Sequence, residues 1–182
     1  MKIIVVGASG SGTTTLGKSL ASTLNYIHLD ADDYYWEKTN PPFREKIPLG
    51  KRNASLATEF KQTENVVLSG SLVSWGDPWK TAFDLAIFLF LPNEIRMKRL
   101  RAREVERYGS LLLTDPFYRK NSQAFLDWAQ RYDDPAFEGR SLQAHLNWLI
   151  SLDCPVLRIE GDIELKDQIK MVLDKIRILA RD

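Results

Sequence analysis

The densest chemistry in the sequence sits in Gly7-Ala-Ser-Gly-Ser-Gly-Thr-Thr14. Three glycines and five hydroxyl residues crowd into Gly7–Thr15, directly after an apolar run. Glycines let successive backbone N–H groups turn toward one ligand, which suits the oxygens of a phosphate. A helix starting near Thr13 would add the positive end of its dipole. Thr14 is spaced to offer its hydroxyl to a phosphate-bound magnesium ion. The phosphate-binding set is therefore Gly7, Ala8, Ser9, Gly10, Ser11, Gly12, Thr13, Thr14 and Thr15. The pattern G-x-x-x-x-G-K-[ST] fits Gly7, Gly12 and Thr14, but its lysine position holds Thr13. A literal match exists at Gly12-Thr-Thr-Thr-Leu-Gly-Lys-Ser19. It would stretch Gly7–Gly17 between strand and helix and break the spacing of Leu16 and Leu20, so we reject it and place Lys18 on a solvated helix face. A dinucleotide fingerprint also fails, because it needs glycine at Thr15, although Asp30 lies about where a ribose-binding acid would.

A second cluster, Leu29-Asp-Ala-Asp-Asp33, ends another apolar run. Phosphoryl transfer to a hydroxyl needs a carboxylate to orient or deprotonate the nucleophile. Asp30 and Asp32 would share a face of an extended segment, Asp32 also helping Thr14 to hold the metal, while Asp33 would cap a helix. Tyr34, Tyr35 and Trp36 follow, to stack on a planar substrate or to cover the sheet. Arg44 follows the rigid Pro41-Pro42 pair and suits a substrate phosphate or carboxylate. Ser69 and Gly70 end a third apolar run. Arg99, Arg103 and Arg107 fall on one helical face. Arg99 and Arg103 are the pair expected to stabilise charge on a transferring phosphoryl group.

These residues must be positioned by alternating strands and helices. The runs Lys2–Val6, Tyr26–Leu29, Val66–Leu68, Leu85–Leu91 and Pro155–Ile159 are short and apolar, as strands buried on both faces of a parallel sheet are. Helical stretches are expected over Thr13–Leu24, Pro48–Thr63, Asn93–Tyr108 (capped by Asn93), Ser141–Leu152 and Leu165–Arg181. The pattern is that of a doubly wound α/β domain spanning 1–182, whose ligands sit beyond the carboxyl ends of the strands. Residues 109–140 read either as a lid insertion or as a helical hairpin.

Composition excludes other classes. A net charge of +1 gives no footing for nucleic acid, and Cys154 alone excludes an internal disulfide. The longest apolar run is too short to span a bilayer. No leader peptide is expected at the start, so a soluble, cytoplasmic protein without a membrane partner is the default.

With these motifs in view, the chain resembles the nucleoside monophosphate kinase-like branch of P-loop kinases. The resemblance runs from Lys2 to about Asp162 and is carried by Gly7–Thr14, Asp30/Asp32, Arg99-Leu-Arg-Ala-Arg103 and Glu160-Gly-Asp162. It implies a three-layer α/β/α fold, a sheet of order 2-3-1-4-5 and a helical lid. It implies ATP and Mg as cofactors and a small-molecule acceptor, either a nucleoside monophosphate or a hydroxylated acid. Arg99 would stack on adenine, Arg103 would reach phosphates, and Arg140 would do so from across the lid. Gly161 and Asp162 would pack on the base. Thr13 departs from the family pattern, since the family's lysine there stabilises charge in transfer. Two alternatives follow: a nucleotide-binding sensor without turnover, and an NAD(P)-binding oxidoreductase.

Overall fold

The computed structural model describes residues 1–181. Five strands alternate with helices. β1 (Lys2–Gly7), β2 (Ile27–Asp30), β3 (Val66–Ser69), β4 (Leu85–Phe90) and β5 (Val156–Glu160) form one sheet of order β2-β3-β1-β4-β5. All four pairings are parallel. Ile3, Ile4, Val5 and Val6 are fully buried, because β1 is the central strand and is covered on both faces. That is why its run is continuous and not alternating.

The helices are α1 (Thr13–Leu24), α2 (Ala31–Tyr35), α3 (Leu49–Gln62), α4 (Asn93–Tyr108), α5 (Leu111–Thr114), α6 (Pro116–Gln130), α7 (Leu142–Ile150) and α8 (Leu165–Leu179). On one face, Leu16 and Leu20 of α1 and Val172 of α8 pack on Ile3 and Val5. On the other, Leu56 and Phe60 of α3, Trp79, Phe83 and Trp148 pack on Ile4 and Val6. The layers are therefore α/β/α, as the resemblance implied.

Two local expectations change. Asn93 does not cap α4. Pro92 occupies the cap position, and the Asn93 amide instead donates to the Gln130 carbonyl at 2.9 Å and to Asp133 at 3.2 Å. Asp32 is not extended: α2 begins immediately after β2, because Asp30 Oδ1 accepts the Asp32 N–H at 3.0 Å and acts as the N-cap in place of Asp33. The segment after α4 is helical, with α6 folding back so that Ala129, Phe125 and Leu126 meet Met97 and Leu100 of α4. Tyr34, Tyr35 and Trp36 cover the protein: Tyr34 donates to Glu59, Tyr35 packs by Trp75, and Trp36 meets Phe43 edge-on.

Candidate functional site

The loop after β1, one face of α4 and the segment after β5 border an open cleft of about 440 Å³. Its walls are the loop Gly10–Thr15, Arg99, Leu100 and Arg103 of α4, and Ile163, Leu165 and Gln168. Gly10 and Gly12 take φ of 83° and 97°, the left-handed region where a Cβ is disfavoured. At Gly10 a Cβ would also stand 2.9 Å from the Arg96 carbonyl. These two glycines therefore let the loop turn tightly under α4.

The loop delivers its chain into α1 with no side chain capping the helix. The N–H groups of the first turn are thus without helical acceptors and face an anion-ready mouth. Helix α1 starts at Thr13 with Gly12 as its N-cap, so all of the rejected match after Gly12 lies inside the helix, and Lys18 is exposed. The register Gly7–Thr14 is the one the backbone adopts.

Thr14 and Asp30 meet at the floor. The Thr14 hydroxyl donates to Asp30 Oδ2 at 2.9 Å. Asp30 thus joins the phosphate loop to the end of β2 and is not left free for a ribose. Asp32 is the second residue of α2 and is exposed at the surface. Desolvation by the neighbouring protein raises its pKa, the Arg140 and Arg103 charges oppose that rise, and Asp30 adds to it. The arginines and Asp32 thus form one electrostatic group, although they lie on α2, on α4 and before α7. Among the described residues no three His, Cys, Asp or Glu side chains form a metal cage. A cation here would need ligands beyond the protein's carboxylates, such as phosphate oxygens and the Thr14 hydroxyl.

Arg99 and Arg103 both line the cavity. Arg99 donates to Asp162 at 2.5 Å, and its Nη1 would be 3.9 Å from a Cβ on Gly12, so its guanidinium lies over the loop. Arg103 is exposed at the surface of α4 beside the cleft; desolvation by the neighbouring protein and the Arg107 charge lower its pKa, Glu104 and Asp32 opposing. An arginine so placed still carries its charge at neutral pH. Arg140 is half-buried, with its Cζ 5.1 Å over Trp128. Asp162 anchors Arg99 and Gly161 donates to the Phe90 carbonyl at 2.9 Å, while Ile163, Leu165 and Gln168 form the wall beyond them.

The other sequence candidates have structural partners. Ser69 is buried beneath Asp30. Gly70 gives α2 room, since a Cβ there would stand 2.8 Å from that of Ala31. Arg44 is exposed, its Cζ 4.1 Å over the Phe117 ring of α6. Arg107 sits in turn 4.8 Å over Phe43. The loop carrying Phe43 and Arg44 is therefore clasped to α4 and α6 by two reciprocal cation–π contacts.

Sequence reasoning missed Arg96. It is wholly buried, donating to the carbonyls of Leu91 and Ala129 at 3.1 and 3.4 Å and to Asp133 at 2.8 Å. A weaker contact reaches the Ser9 carbonyl at 3.5 Å. The only sequence signal was helical phase, because Arg96 shares a face with the buried Leu100. Also missed was His145, whose ring joins Tyr132 at 2.7 Å to Ser71 at 2.9 Å.

A family profile described as an AAA domain matches residues 3–124. The chain belongs to that family of P-loop nucleotide and small-molecule kinases. Among this P-loop chain's relatives, the uncharacterized protein YqaC of Bacillus subtilis is 41% identical over 172 residues, 94% of this chain and 95% of that one. A cytidylate kinase of Haloarcula marismortui is 28% identical over 147 residues, covering 74% of this P-loop chain and 71% of its own. The crystal structure of shikimate kinase from Bacteroides thetaiotaomicron has 18% identity and a TM-score of 0.56, covering 97% of this chain and 98% of its own. At that identity the likeness is one of fold.

Proposed function

We propose that this protein is a kinase that transfers a phosphoryl group from ATP to a small acceptor, a nucleoside monophosphate or a hydroxylated acid. The observation that carries this reading is one arrangement: an uncapped helix behind a glycine loop, covered by Arg99 and Arg103, with Asp32 within the electrostatic reach of Arg103. The loop N–H groups and Arg103 bind donor phosphates, and Arg99, steadied by Asp162, lies against the base. Ile163 and Leu165 give that base an apolar seat beside Gly161 and Asp162. Thr14 and Asp32 would hold magnesium, which supplies charge neutralisation on the phosphates. Asp32 orients the acceptor's hydroxyl or phosphate, with Asp30, Ser69 and Gly70 shaping the floor. Arg140 and Arg44 meet the acceptor's negative charge. Residues 109–140 act as the lid, and the protein works in the cytoplasm on soluble metabolites, without nucleic acid or membrane.

The arginines matter more here than in a loop with lysine, because Thr13 contributes a hydroxyl and no charge. Thr13 also favours a second reading, a sensor that binds nucleotide without turnover. A panel of nucleotides, nucleosides and sugar acids separates the two. One acceptor is expected to stimulate ADP formation from ATP, and Asp32→Ala is expected to lower that rate by about 10²-fold or more. Nucleotide binding without stimulation by any acceptor, unchanged in Asp32→Ala, would establish the sensor instead.

A further inference from the structure

His28 has no part in the reaction proposed above. It lies on β2, half-buried beneath α1, and its Nε2 is 2.9 Å from Ser69 Oγ. Ser69 Oγ is in turn 3.3 Å from Asp30 Oδ2, the oxygen that also takes the Thr14 hydroxyl at 2.9 Å. The other oxygen, Oδ1, takes the Asp32 N–H at 3.0 Å.

Counting protons fixes the direction of this chain. An ionised carboxylate only accepts, and a serine hydroxyl carries one proton. Ser69 therefore donates to Asp30, and its lone pairs must be met by a donor. His28 is that donor, which places its proton on Nε2. Thr14 likewise commits its only proton to Asp30, so the lone pairs of Thr14 Oγ1 remain for a cation.

Helix α1 closes on this relay at Gly17. A Cβ there would stand 3.0 Å from His28 Nε2 and 3.0 Å from Ser69 Cβ. The absence of a side chain at position 17 is thus what lets the ring and the serine lie side by side under the helix that carries Thr14.

We infer that His28 is a positioning residue for the magnesium–nucleotide site: through Ser69 it holds Asp30 so that Thr14 gives its proton inward and keeps its oxygen free for the cation. This rests on the kinase reading's assignment of Thr14 to magnesium. It adds a residue three hydrogen bonds removed from Thr14, and it predicts which chemical property of that residue matters, namely an N–H donor and not ring bulk.

Calorimetry with a non-hydrolysable ATP analogue, with and without magnesium, tests this. His28→Leu keeps bulk and loses the donor, while His28→Gln keeps an amide N–H. His28→Leu and Ser69→Ala are each expected to weaken magnesium-dependent binding about 3–10-fold, the worth of one hydrogen bond. His28→Gln is expected to stay within about twofold of wild type, and the His28→Leu/Ser69→Ala double variant to be no weaker than either single one. In the metal-free protein, nitrogen NMR of the ring should show the Nε2–H tautomer in wild type and its loss of preference in Ser69→Ala. Equal damage from His28→Gln and His28→Leu, an additive double variant, or no effect of His28→Leu would overturn the relay. So would an Nδ1–H ring. Wild-type binding that ignores magnesium would overturn it while sparing nucleotide binding. No binding by wild type would overturn both this inference and the kinase reading.

Discussion

Arg103→Ala is expected to lower turnover with the protein's own acceptor by about 10²–10³-fold, the size of losing one preorganised charge contact to a transition state. Arg103 lines the loop's cavity and shares the electrostatic field of Asp32. Arg99 is partly committed, since Asp162 holds it. Thr13 brings no charge to the loop, so the demand for a cation falls on α4. Single-turnover rates at saturating ATP isolate the effect from binding. Arg101→Ala is the matched control: it removes an equal charge from an exposed position outside the cavity walls, and turnover should stay within about twofold. A similar fall in both variants would mean that only the helix's overall charge matters. No fall in Arg103→Ala would remove it from the catalytic set.

Acid is expected to destabilise the protein through one buried ring. His145 is wholly buried, and burial, with the Arg140 charge adding to it, holds its pKa down from 6.5 to about 3. The native state therefore binds fewer protons than the unfolded chain between those values. Stability linked to this ring is complete above pH 6.5 and is lost as pH falls toward 3. Between pH 7 and 4.5 the loss should be about 2–3 kcal/mol. Urea unfolding of wild type and His145→Gln at both values measures it, because glutamine keeps a polar partner for Tyr132 and Ser71 but does not titrate in this range. The wild type should lose that much more than the variant. Equal losses would show that carboxylates elsewhere set the acid limit.

Much of the frame was legible before any coordinates. β1 announced itself because a strand covered on both faces needs an unbroken apolar run and a glycine at once where the loop begins. The loop's register followed from helix phase: Leu16 and Leu20 can share a buried face only if α1 starts near Thr13. The ends of the apolar runs likewise located Asp30 and Ser69. What stayed hidden depends on contacts between distant segments. Arg96 has the same letter as its solvated neighbours, and only the docking of α6 onto α4 makes it a buried hub. Arg44 was placed after a rigid turn, but its stacking on Phe117 joins segments far apart in sequence. Asp32 was read as extended because nothing in Asp-Ala-Asp-Asp shows that Asp30 turns inward to cap. His28 looked like an ordinary strand residue, and Ser69 only like a strand end near the ligand, since the link between them lies in a register between β2 and β3 that one strand does not carry alone.

The strand order has a consequence for biosynthesis. β1 is central, yet its two neighbours are residues 66–69 and 85–90. At about 5–20 residues per second on the ribosome, this central strand waits several seconds with both edges unpaired. The loop that follows gains Arg96's link to Asp133 later, and Arg99's link to Asp162 later still. The first-made piece of the site is thus among the last to be locked. Truncation before β5 would leave the loop translated but unframed, and nascent chains of that length are where chaperone dependence should concentrate.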